Sequence, residues 1–162
     1  MAAKSKPAVE PMKRTVVITR IFNAPRTLVF KLWTDPGHLA QWWGPKGFTN
    51  PVCEVDARPG GAIRIVMRSP DGVDHPMAGV FREVVEPQRL VFTNMALDRE
   101  GNTLLEGLTS VTFDEHGGKT KVTLETSAAG VAAQAAEMLK GMEEGWRQSL
   151  DRLDALVAAI AI

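Results

Sequence analysis

Residues 135–160 read AAEMLKGMEEGWRQSLDRLDALVAAI, and their spacing dictates what the rest of the chain must provide. Ala135, Met138, Met142, Trp146, Leu150, Leu153, Leu156, Val157 and Ile160 fall on one stripe at helical period. The opposite face carries Lys140, Glu143, Glu144, Arg147, Gln148, Asp151, Arg152 and Asp154. Glu143–Arg147 and Lys140–Glu144 stand four residues apart, the spacing that lets opposite charges meet on a helix. The pattern predicts a two-faced helix of about seven turns, roughly 40 Å long at 1.5 Å per residue. Such a stripe needs an apolar surface to cover.

The preceding residues supply one. Residues 52–57, 62–68, 76–85, 89–97, 106–114 and 119–126 alternate or run apolar between turn signals such as Ser69-Pro70-Asp71-Gly72 and Glu115-His116-Gly117-Gly118. Ile63, Ile65 and Met67 share one face, with Arg64 and Arg68 on the other. Connections this short imply an antiparallel meander of six strands. Upstream, residues 14–22 (RTVVITRIF) form another strand, and Asn23 is placed to cap a helix that begins near Pro25. Leu28, Val29, Leu32 and Trp33 carry that helix until Asp35-Pro36-Gly37 breaks it. A second short helix covers residues 38–43 and stops at Gly44-Pro45-Lys46-Gly47. The prediction is an α+β fold: a flexible tail over residues 1–13, then one domain over 14–162. In that domain a strongly curved antiparallel sheet closes round a long C-terminal helix.

Composition narrows the function. Nineteen basic residues balance nineteen acidic ones, so no net field draws nucleic acid or an anionic membrane. The apolar end near Leu156 is too short to span a bilayer, and the N-terminus lacks the apolar run of a secretory signal. The lone cysteine, Cys53, sits in a strand beside Glu54, which predicts an inert, buried thiol and a cytoplasmic location. No phosphate-binding glycine loop or nucleophile elbow occurs. His38, His75 and His116 lack ligand spacing, so no metal and no cofactor are expected. Glu143 and Glu144 lie on the polar face of their helix, and no catalytic constellation emerges.

What remains is soft and aromatic. Trp33, Trp42, Trp43, Phe48, Met67, Met77, Phe81, Phe92, Met95, Met138, Met142 and Trp146 could converge between helix and sheet, with Thr109 as an inward polar group. Two readings stand: these residues fill a core, or they line a pocket for an apolar ligand. Arg64 and Glu125 are read as an outward cross-strand pair. Neighbours on a helix point about 100° apart, so Trp42 and Trp43 cannot share one stripe. Trp42, spaced with Leu39, is the expected anchor, and Trp43 beside Gly44-Pro45 the expected gate.

The stretches ITRIFNAPRTLVFKLWTDPGHLAQWWGPKGF, VDARPGGAIRIVMRSPDG, GVFREVVEPQRLVFT, VTFDEHGGKTKVTLE and GMEEGWRQSLDRLDALV carry a resemblance. In them the chain resembles the START-like (SRPBCC) superfamily and, within it, the family similar to the activator of heat-shock protein 90 ATPase. The resemblance implies a helix-grip fold with an apolar cavity under the C-terminal helix and the second short helix at its mouth. It implies first a small-molecule-binding protein holding an apolar, aromatic or lipid-like ligand, as monomer or homodimer. A second implication is a protein-interaction module of the co-chaperone type, with a chaperone as partner in stress response. The third is a polyketide cyclase-like enzyme. The eukaryotic co-chaperone makes its main chaperone contact through a separate N-terminal domain, for which the residues before the first strand leave no room.

Overall fold

A computed structural model describes residues 13–133 and 135–160. Of the tail expected over residues 1–13, residues 1–12 lie outside the described residues, and Lys13 belongs to the first strand instead. The elements run β1 (Lys13–Phe22), α1 (Arg26–Thr34), α2 (Pro36–Trp42), β2 (Thr49–Val55), β3 (Ala62–Arg68), β4 (Asp74–Val85), β5 (Arg89–Leu97), β6 (Thr103–His116), β7 (Lys119–Gly130) and α3 (Ala135–Ile160). One seven-stranded sheet forms in the order β1-β7-β6-β5-β4-β3-β2, every pair antiparallel. The six-strand meander is therefore real, and β1 extends it by returning to pair with β7.

Alternation sets the faces. On β1, Val16, Ile18 and Phe22 are buried while Val17 and Ile21 are exposed. Arg14 and Arg20 share the inner parity and reach α3. Arg14 donates to the Leu139 and Lys140 carbonyls at 3.0 and 3.1 Å and pairs with Glu143 at 3.1 Å. Arg20 pairs with Asp151 at 2.8 Å. These arginines strap the helix over β1 and β7, on which it packs. Register shifts leave Arg82 on β4 and Leu104 on β6 as extra residues, and bulges of this kind bend the strands that carry them. At Gly79, beside the first bend, a Cβ would run into the Thr93 carbonyl, so the strands approach there only because the residue is glycine.

Several local expectations are corrected. Asn23 does not cap α1: Pro25 holds the cap position with no side-chain bond, and its carbonyl accepts from Leu28 and Val29. The chain turn before it is fixed instead by Thr120, whose hydroxyl donates to the Ala24 carbonyl at 2.7 Å. Asp35 caps α2 by accepting from the His38 amide at 3.1 Å, and Pro36 opens that helix rather than ending the previous one. On α3, Leu139 is buried where Met138 was expected to be, one position round the turn. Ile160 is exposed. Glu143 meets Arg147 at 2.8 Å as predicted, but Glu144 accepts from Gln148 rather than Lys140. Arg64 does point outward, yet its partner is Glu54 across the β2–β3 ladder, at 3.6 Å. Glu125 lies on β7, with three strands between.

Candidate functional site

All four tryptophans of the chain meet under the grip. Trp33 on α1 packs edge-on against Trp42 at 4.6 Å and lies nearly parallel to Trp146 of α3 at 6.2 Å. Trp43 meets Trp146 edge-on at 5.2 Å and reaches Phe92 on β5 at 6.5 Å. Phe92 packs in turn on Phe81 of β4 at 5.9 Å. Edge-to-face contacts of this kind contribute about 0.5–1.5 kcal/mol each beyond the area buried.

Behind these rings lies a small apolar cavity of about 10 Å³, walled by Trp33, Leu39, Trp43, Val55, Ile63, Ile65, Phe81, Leu90 and Phe92. α1 and α2 supply its roof and β2 to β5 its floor, so the expectation of a cavity under the C-terminal helix is corrected: no α3 residue lines it. In this conformation side chains nearly fill the grip. Met67, Met142 and Trp146 pack against the same core while staying half-buried, where a flexible thioether can re-arrange.

The sequence-derived candidates divide accordingly. Trp33, Trp43, Phe81 and Phe92 line the cavity. Trp42 is fully buried one layer back, its indole donating to the Leu32 carbonyl at 2.9 Å, and Met77 is buried in the core. Trp43 retains 8% exposure, the highest among the cavity-lining aromatics. Thr109 is fully buried and joins Thr126 and Asn94 through its hydroxyl at 2.8 Å each, a polar trio on the inner face of β5, β6 and β7. Phe48 lies off the cavity, beside Gly44 and 5.9 Å from the His75 ring. Met138 belongs to neither apolar cluster. Met95 faces the other way, because it sits at odd spacing from Phe92 on β5.

Met95 lines a different feature, an open groove of about 640 Å³ on the outer face of the sheet. Thr15, Arg82, Thr93, Glu106, Leu108 and Ser127 border it, the last hydrogen-bonded to Thr15 at 2.9 Å.

Sequence reasoning also missed how the Trp43 loop is held. The Gly44 amide donates to Ser149 Oγ at 3.1 Å, and the Lys46 amide to Gln148 Oε1 at 3.0 Å. Arg152, expected on the solvated face of α3, donates from Nη1 to the carbonyls of Trp43, Gly44 and Pro45 at 3.0 Å each and from Nη2 to Gln41 at 3.1 Å. The guanidinium thus gives a charged donor to carbonyls at the end of α2 and in the loop after it, of which Trp43 and Pro45 also accept from Asn50 Nδ2 and the Phe48 amide, and it sits where the helix dipole favours a cation. Burial lowers the pKa of Arg152 from its ordinary value, but guanidinium remains charged at neutral pH. Gly44 has φ +95°, a conformation that glycine adopts freely, and a Cβ there would crowd Met67 Sδ at 2.9 Å.

Cys53 fits its inert reading: burial first, then the Asp35 carboxylate, push its thiol up to about 11. Among the described residues no group of histidine, cysteine or carboxylates is arranged to hold a metal, and no helix is long and apolar enough to cross a membrane.

The family model described as Activator of Hsp90 ATPase homolog 1-like protein matches residues 23–158. Solved structures agree in fold. A protein from Chromobacterium violaceum is 29% identical, with 88% of this chain and 96% of that one covered, at a TM-score of 0.74. One from Mycobacterium smegmatis is also 29% identical, covering 93% and 96%, at 0.73. A protein from Silicibacter pomeroyi that carries the family's name is 26% identical, covering 90% and 99%, at 0.75. Comparison with curated proteins gives no match.

Proposed function

The chain belongs to the Activator of Hsp90 ATPase homolog 1-like family, and from that premise we propose that it binds a small apolar or aromatic molecule between the sheet and the helices that cover it. The observation that carries this reading is the aromatic-walled cavity bounded by Trp33, Trp43, Phe81 and Phe92. Ligand sites are typically concave and lined by apolar and aromatic side chains with few polar groups. At about 10 Å³ the space admits a ligand only if side chains move aside. Trp43, the least buried of the lining aromatics, and the flexible Met67 and Met142 that pack against the same core are the groups best suited to do so. Backbone NMR shifts on titration with ethylbenzene test the proposal. Saturable shifts at Trp43, Ile63, Ile65, Phe81 and Phe92 are expected. Absence of saturation, or shifts confined to Thr93, Met95, Leu108 and Ser127, would defeat it.

A second reading, a protein-docking module, is supported by the outer groove. Val17, Val80 and Leu108 stand exposed on that same face. Shifts confined to that face on adding a partner protein would favour it.

A further inference from the structure

Trp33 is 2% exposed, and its indole N–H has no hydrogen-bond partner among the described residues. Its neighbour Trp42, equally deep, spends its own N–H on the Leu32 carbonyl. Among the described residues only two other buried side-chain atoms lack a hydrogen bond, Nδ1 of His38 and Oδ1 of Asn50. Neither belongs to a residue of the cavity wall, and the His38 nitrogen already lies 2.6 Å from the Asp35 carboxylate. Trp33 does line the cavity. An orphaned buried donor is costly and uncommon in folded proteins, so this one calls for an acceptor.

Water is a poor candidate. The space is about the size of one molecule, but a buried water typically makes about three hydrogen bonds, and apart from the Trp43 indole the other lining side chains are hydrocarbon and offer its protons no acceptor. A carboxylate is poorer still, because no cation stands among the lining residues to offset its burial. An indole N–H donates and never accepts, so a ligand hydroxyl or amine would leave its own proton unpaired. A carbonyl or ether oxygen on an apolar body needs only one donor, and a C=O with a spare lone pair is tolerated when buried.

We infer that Trp33 Nε1 is the specificity-determining donor of the cavity and selects neutral apolar ligands that carry one hydrogen-bond-accepting oxygen, such as aryl ketones, esters or ethers. The inference rests on the apolar-ligand reading and adds the polar handle that chooses among such ligands.

Acetophenone and α-methylstyrene test it, since the second replaces C=O by C=CH2 at nearly equal size. In the wild-type protein, the Trp33 indole proton, assigned by its proximity to Trp42 and Phe113, should move downfield with acetophenone and not with α-methylstyrene. The ratio of the two dissociation constants should shift by about 3- to 10-fold against acetophenone in Trp33→Phe, the loss expected of one neutral hydrogen bond. Should both compounds bind with that proton and that ratio unmoved, the donor role is overturned and the cavity reading survives. Binding of neither compound removes both. If Trp33→Phe does not fold, the wild-type indole shift decides alone.

Discussion

Replacing Arg152 with methionine keeps most of the side chain's length and apolar stem while deleting its donors. Four carbonyls lose a charged partner: Gln41, Trp43, Gly44 and Pro45. Hydrogen bonds to charged groups contribute about 1.5–3 kcal/mol each, but here the sum must be discounted. Nη1 shares two protons among three oxygens, and the side chain is only half-buried, so water recovers part of the loss. A net cost of about 2–4 kcal/mol is expected, a large share of the ~5–15 kcal/mol that holds a domain folded. Arg152→Lys should fall in between, because an ammonium is a point charge and cannot fork across the loop. Urea unfolding measures both variants, with the midpoint dropping at unchanged slope. A change within about 0.5 kcal/mol, typical of an ordinary surface position, would refute the clamp.

Thr109→Val strands the Thr126 hydroxyl and the Asn94 carbonyl oxygen and should cost about 1–3 kcal/mol, whereas Thr109→Val with Thr126→Val should cost less than the two single changes added. Denaturant titration of the three variants checks this, and strict additivity would contradict the coupled pair. Trp42→Ala should lose about 3–5 kcal/mol, as for other buried aromatics. Trp43→Ala also destabilises, but it alone enlarges the cavity, so an apolar dye should bind it more tightly than Trp42→Ala; equal dye affinity sinks that distinction. Cys53 should be alkylated slowly at pH 8 and faster as pH approaches about 11. The folded state keeps a proton that the unfolded chain releases near its ordinary value of 9.0, so stability should fall as pH climbs from 9.0 toward about 11. A native thiol that reacts at the unfolded rate at pH 8 would contradict this burial.

Periodicity carried most of the architecture. The α3 stripe and the alternation of Ile63, Ile65 and Met67 state which side is buried, because burial repeats with backbone geometry. Alternation does not name a neighbour. Arg64 does point outward, but its partner depends on strand order, which sets β2 beside β3 and puts three strands between β3 and β7, and alternation within one strand does not encode that order. Met95 was readable and misread: a residue three from Phe92 on one strand cannot share its face. Arg152 was invisible for another reason. Its targets are carbonyls, which every residue has, so no pairing of residue types advertises the contact. The unsatisfied Trp33 donor likewise depends on where other groups are not.

The pairing of β1 with β7 has a consequence in time. During synthesis β1 leaves the ribosome well before β7, its ladder partner among the described residues, which begins about 100 residues later, as Phe22 aligned with Thr120 makes plain. At about 5–20 residues per second that interval lasts roughly 5–20 s. Meanwhile Val16, Ile18 and Phe22 have no inner face to join, and Val17 and Ile21 make the other side of the strand apolar too. The nascent chain therefore exposes a sticky, unpaired β-edge for most of its synthesis. Sheet closure, and with it the seating of α3 over Arg14 and Arg20, can only be a late, post-meander event.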